Sequence, residues 1–105
     1  MKRYEVWLVN LDPVIGHEIK KTRPCIIVSP EIINKKLNTL TIVPLTSTIK
    51  NFPHRVPCTF LGKSGEAVIE QVRIVDKKRL LNRMGAINNL TAKSIALTLI
   101  EYFKF

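Results

Sequence analysis

Apolar residues in this chain come in short runs punctuated by proline, glycine and charged residues, a rhythm that predicts strands far more than helices. Tyr4–Leu11, rich in β-branched and aromatic residues and stopped by Asp12-Pro13, reads as a buried strand. Cys25–Ser29 reads as a second, bounded by Pro24 and Pro30. Glu31–Asn38 is polar, carries Lys35 and Lys36, and fits a helical turn or a loop. Thr39–Leu45 alternates and predicts a third strand, with Pro44 marking an edge or a bulge because proline removes a ladder donor. Past a hydroxyl-rich loop from Thr46 to His54, Arg55–Phe60 resumes an extended pattern and Gly62–Gly65 makes a turn. Ala67–Val72, continued by Arg73–Val75, predicts a further strand, and Met84–Ile87 a last short one. Between them Asp76 can cap a helical turn through Lys77–Leu81.

Helical spacing is convincing only at the C-terminal end. Thr91 can serve as N-cap, Leu90 and Ile95 stand at the distance of a hydrophobic staple, and Ile95, Leu99 and Tyr102 or Phe103 line one face. Many short strands and one late helix predict a mainly β (α+β) fold, a small, strongly bent antiparallel barrel. Residues 1–105 are expected to form a single domain, without repeats or an interdomain linker.

Charge changes the picture. Seventeen Lys and Arg against eight Asp and Glu give a net charge of +9 and a pI near 10. Such an excess favours a polyanionic partner, nucleic acid first, through phosphate contacts and counterion release. The longest apolar runs fall far short of the ~20 residues a membrane helix needs, and no stretch near Met1 suits a secretory signal. A cytoplasmic location is expected. Cys25 and Cys58 read as small buried hydrophobes, and with two histidines and no suitable spacing a metal site is not expected.

The residues able to carry chemistry cluster between the first two strands. Asn10–Pro24 holds Asp12-Pro13, Gly16, His17, Glu18, Lys20, Lys21 and Arg23 on one loop, and loops on a rigid scaffold are where binding and catalysis concentrate. Arg23, biased to extended backbone by Pro24, presents a planar fork suited to phosphate. Glu18 among cations is an ion-pair partner or a general base, and His17 can titrate near neutrality. Thr46, Ser47 and Thr48 offer three successive hydroxyls to phosphate oxygens or cap a turn. Phe52 can stack on an unpaired base or fold onto the core. Lys77-Lys78-Arg79 reads as a solvated face adding long-range attraction.

In order along the chain, Trp7–Pro13, Gly16-His17-Glu18, Thr22-Arg23-Pro24, Pro44–Thr48 and Glu70–Leu80 together resemble the MazF/PemK (Kid) toxin family. That resemblance implies a barrel of the Src-homology-3-like (CcdB/PemK) type and a homodimer. It implies a toxin of a toxin–antitoxin system that cuts single-stranded RNA at short sequences without a metal or other cofactor, and that is blocked by an acidic antitoxin protein. It places the catalytic groups at Arg23 and Thr46, with Glu18 drawn in. Contacts to RNA are then expected from His17, Lys20, Ser47, Thr48, Lys50, Phe52, Glu70 and Gln71. Two positions depart from the family pattern: Tyr4 stands where glycine is common, and Val68 where one branch has a catalytic arginine.

A metal-free ribonuclease can use the RNA's own 2′-hydroxyl as nucleophile, leaving a 2′,3′-cyclic phosphate and a 5′-hydroxyl. On this reading Arg23 stabilises the phosphorane, Thr46 holds a non-bridging oxygen, Glu18 is the base and His17 or water the acid. Two rivals stand beside it. A CcdB-like toxin of the same fold would poison DNA gyrase and dock through the helix ending in Tyr102–Phe105. A non-catalytic barrel would bind RNA without cutting it.

Overall fold

The computed structural model describes all residues from Met1 to Phe105. The elements are β1 (Glu5–Asn10), β2 (Thr22–Ile27), α1 (Glu31–Lys36), β3 (Thr39–Thr46), β4 (Arg55–Phe60), β5 (Lys63–Val68), β6 (Arg73–Asp76), β7 (Leu80–Ala86) and α2 (Asn89–Phe103). Short 3-10 turns at Ile69–Gln71 and Lys77–Arg79 flank β6. All seven strands join one sheet in the order β4-β5-β3-β2-β1-β7, with β6 paired to β3, and every pairing is antiparallel. The ladder ends on β4 and β7, which are not paired with each other. No helix is long and apolar enough to cross a membrane.

β3 organises the bend. One edge pairs with β2; the other pairs first with β6, through Thr39–Ile42, and then with β5, through Leu45 and Thr46. Pro44 sits where the partner changes, a position at which a missing ladder donor is tolerated. Two apolar clusters result. One gathers Val6, Ile26, Val43, Ala67 and Ile69 under α2 and its Ile95; the other gathers Val9, Leu11, Cys25, Ile27, Leu40 and Ile42. In β1 the in–out alternation breaks between the buried Val6 and Val9, where its register against β7 shifts between Val6 and Trp7 and again between Leu8 and Val9.

Several boundaries differ from the sequence expectation, each for a local reason. β2 begins at Thr22, so Arg23 and Pro24 lie within the strand, opposite Val9 and Leu8. The β4–β5 turn is the two-residue Leu61-Gly62, both at positive φ (50° and 76°), the geometry of a type I′ hairpin. Gly65 is therefore a strand residue, and β5 stops at Val68 where the chain coils into the turn at Ile69–Gln71. β7 runs from Leu80, longer than Met84–Ile87. The N-cap of α2 is Asn88, whose side chain accepts the Thr91 N–H at 2.8 Å. Leu90 is exposed, and Ile87 and Ala92, both buried, occupy the staple positions around that cap. Asp76 caps its turn as expected, accepting the Lys78 N–H. Tyr4, standing where the resemblance leads one to expect glycine, has φ of 70°, a left-handed conformation that glycine adopts freely.

Candidate functional site

A cleft of about 290 Å³ opens beside Arg23 and Thr46. Arg23 and Pro24 of β2, Leu45 and Thr46 of β3, Cys58 and Phe60 of β4, Lys63 to Glu66 of β5 and Met84 of β7 line it, with Leu61 and Ser47 at its margins. It lies where the β4–β5 hairpin curls back over the middle of the sheet. The Phe60 ring reaches Gly85 of β7, where even a Cβ would stand 3.3 Å from it. One wall is apolar, and Arg23 and Lys63 supply cations.

Arg23 is placed by β-pairing: its Cα partner is Val9, and the extended backbone that Pro24 favours carries its side chain to the cleft. Thr46 closes β3 opposite Glu66, and its Oγ1 accepts the Thr48 N–H at 3.2 Å, an ST-type turn that fixes the hydroxyl. Arg23, Thr46 and Ser47, widely separated in sequence, thus share one cleft.

The loop between β1 and β2 is ordered by its own polar groups. Asp12 accepts the Lys21 N–H at 2.8 Å, and Glu18 Oε1 accepts the Ile15 N–H at 2.7 Å. The Ile19 N–H donates to Gln71 at 2.8 Å, tying the loop to the turn before β6. Arg79 donates to the carbonyls of Asn10 and Asp12, and Arg73 to that of Leu11. Lys77 donates to the Asn34 carbonyl. The basic run 77–79 is therefore partly structural rather than a purely solvated face. Glu18, His17 and Lys20 are exposed on this loop and do not line the cleft.

A second group surrounds Arg55. Its guanidinium pairs with Glu66 at 3.0 Å and with Glu70 at 2.7 Å, and its side chain is 8% exposed. The Lys50 and Asn51 amides donate to Glu66, and these bonds with the Arg55 pair hold its carboxyl below the usual range. Partial burial pushes the Glu70 carboxyl up, but the Arg55 hydrogen bonds outweigh it and hold it low. Glu70 is thus committed to an ion pair, and Gln71 to the loop amide of Ile19. Thr48, Lys50 and Phe52 are exposed; Phe52 lies 5.1 Å from the Arg55 guanidinium carbon and 5.7 Å from the Lys50 ammonium. Burial pushes the Cys25 thiol up to about 12 and the Cys58 thiol up as well, so both stay protonated.

Sequence reasoning does not point to Arg55, Glu66 or Lys63 as site residues and reads Gly65 as part of a turn. The one available signal was Glu66, an acid directly before the apolar Ala67-Val68-Ile69 in a chain with eight acids.

A small, basic, antiparallel β protein with an arginine and a threonine sharing a cleft is the class that fold and site define. Residues 2–103 match the family described as PemK-like, MazF-like toxin of type II toxin-antitoxin system, and the chain belongs to it. Endoribonuclease MazF9 of Mycobacterium tuberculosis is 36% identical over 98 residues, covering 84% of this chain and 83% of that protein. Endoribonuclease PemK of Escherichia coli is 49% identical over 47 residues, 45% of this chain and 35% of that protein. Among solved structures, MazF from Deinococcus radiodurans superposes with a TM-score of 0.89 at 22% identity, covering 100% of this chain and 97% of that one. A mycobacterial endoribonuclease in complex with its cognate antitoxin gives 0.81 at 20% identity, over 96% of this chain and 92% of that one. At those identities the structural likeness speaks for the fold.

Proposed function

We propose that this toxin is a metal-independent, sequence-specific endoribonuclease that cleaves single-stranded RNA and so inhibits translation and growth. The observation that carries the reading is that Arg23 and Thr46 line the same cleft; the endoribonuclease relatives support it.

The 2′-hydroxyl attacks the adjacent phosphorus, the 2′-oxygen–phosphorus bond forms as the phosphorus–5′-oxygen bond breaks, and a 2′,3′-cyclic phosphate and a 5′-hydroxyl result. DNA, lacking the nucleophile, is spared. Arg23 meets the charge that develops on the phosphorane, an electrostatic role suited to a planar guanidinium with several N–H donors and no acceptor. Thr46, its hydroxyl oriented by the Thr48 amide, donates to a non-bridging oxygen. Glu18 takes the nucleophile's proton and His17 or water delivers one to the leaving oxygen. Since Glu18 Oε1 is engaged by Ile15, the free oxygen is Oε2, and reaching the RNA requires the β1–β2 loop to fold toward the cleft. Ser47, Thr48, Lys20 and Lys50 contact the RNA backbone. In the same reading Glu70 and Gln71 act by ordering their neighbours.

The rest of the reading follows the family. Residues 1–105 work as one domain in the cytoplasm, as a homodimer. The sheet curls toward an Src-homology-3-like barrel whose edges meet by packing, as Phe60 on Gly85 suggests, instead of by hydrogen bonds. An acidic antitoxin segment lays carboxylates where phosphates would go, complementing the +9 charge.

Incubating the purified protein with a mixed RNA in EDTA and mapping the new 5′ ends tests enzyme against binder, metal dependence and sequence choice together. Discrete cuts bearing 5′-hydroxyls are expected. Intact RNA would overturn the reading and return attention to a protein target.

A further inference from the structure

The loop from Ser47 to His54 is fixed more firmly than an exposed connection requires. Glu66, 2% exposed, accepts the backbone N–H groups of Lys50 at 3.0 Å and Asn51 at 3.1 Å and pairs with Arg55 Nη1 at 3.0 Å. The other donors of Arg55 fork onto Glu70, Nε at 2.9 and 3.0 Å and Nη2 at 2.7 Å. Asn51 and His54 hold positive φ of 54° and 65°, and the Arg55 N–H closes the turn on the Phe52 carbonyl at 3.1 Å. What this scaffold presents is Phe52, half exposed and resting near a guanidinium that burial keeps from swinging away. The segment carrying it follows Thr46, and the ring is tied through Arg55 to Glu66, which itself lines the cleft of the proposed active site. A fixed, solvent-facing aromatic linked to a cleft that carries Arg23 and Lys63 matches the way unpaired bases are held.

Resting on the ribonuclease reading, we infer that Phe52 is a base-stacking platform, with Glu66 and Arg55 as positioning residues, and that it selects RNA carrying an unpaired purine near the scissile linkage. Purines offer the larger stacking face. The guanidinium near the ring draws electron density from it, which strengthens stacking with an electron-rich base. Lys50, exposed on a flexible stem, is free to leave the ring for a phosphate. Were the ring merely a cover for Arg55, its removal would lower stability and leave the choice of cut site alone.

The test compares wild type, Phe52→Ala, Phe52→Trp and Glu66→Gln for cleavage maps on mixed RNA, KM, kcat and thermal unfolding. Phe52→Ala is expected to erase the purine bias around the cut and to raise KM about tenfold, the scale of one lost base stack, with a smaller change in kcat. Phe52→Trp is expected to restore both, and Glu66→Gln to reproduce the Phe52→Ala pattern. An unchanged map and KM in Phe52→Ala overturn the proposal, even if Glu66→Gln fails to fold. Should wild type cut no RNA, the ribonuclease reading fails separately. Quenching of 2-aminopurine in a single-stranded RNA then decides the platform: lost in Phe52→Ala it stands, retained it falls.

Discussion

Gly65 lies so close to the carbonyl of Thr46 that a Cβ at this position would stand 2.2 Å from the oxygen. No side-chain rotation relieves that contact, because the obstructing atom is backbone. Gly65→Ala must therefore push the end of β3 away from β5, and with it the Thr46 hydroxyl. A misplacement on the scale of 1 Å at a reacting centre costs about 10²-fold in rate. The variant is expected to lose about that much cleavage while circular dichroism still reports a folded β protein. Cleavage at wild-type rate would mean that Thr46 does not act on the RNA.

Arg23 and Thr46 make separable predictions. Arg23→Ala removes a preorganised cation from the developing phosphorane and is expected to lower kcat by about 10²–10³. Arg23→Lys keeps the charge but not the planar fork and should recover only a fraction. Thr46→Val removes the donor and also leaves the Thr48 amide without its acceptor, whereas Thr46→Ser keeps both and should retain most activity. Single-turnover rates on one oligonucleotide check all four. Wild-type turnover in Arg23→Ala would sink the assignment.

Much of the fold was legible because its cues were local. The strands at residues 5–10 and 39–46 follow from β-branched runs between breakers, and the C-terminal helix from its apolar spacing. The misplaced cap shows the limit: Asn88, Asn89 and Thr91 can each cap, and what selects Asn88 is the burial of Ile87 and Ala92 against the sheet, a tertiary fact. Likewise Gly65 looked like a turn residue, although the turn is made by Leu61 and Gly62 and the glycine serves a close approach to β3. Arg23 and Thr46 could be singled out by residue type and resemblance. Arg55 could not, because its partners Glu66 and Glu70 lie 11 and 15 residues away and meet it only through the β4–β5 pairing.

The N-terminal strand carries a pH dependence. Burial pushes the Glu5 carboxyl up, but hydrogen bonds from the Lys2 amide, the Trp7 indole and Arg83 outweigh it and bring its pKa from 4.5 to about 2. The folded state binds this proton less readily than the unfolded chain, so the stabilisation is complete above pH 4.5 and is withdrawn as pH falls toward 2. Glu5→Gln should melt below wild type at pH 6, and the gap should narrow through that window. A gap that stays constant from pH 6 to pH 2 would show that the carboxylate charge contributes nothing.

Salt dependence distinguishes a cation on the cleft from one on the scaffold. Lys63 lines the cleft beside Arg23, whereas Arg79 is occupied by the carbonyls of Asn10 and Asp12. If Lys63 neutralises one phosphate of the bound strand, Lys63→Ala releases one counterion fewer, and the slope of log K against log salt should become shallower by about 0.7, the single-strand value. The affinity loss should be similar for every sequence, since a phosphate contact carries no base information. Arg79→Ala should instead loosen the β1–β2 loop, lowering stability with little change in slope. Fluorescence titrations of a non-cleavable 2′-deoxy oligonucleotide at several salt concentrations measure both. An unchanged slope in Lys63→Ala would place the path of the RNA backbone away from the β4–β5 hairpin.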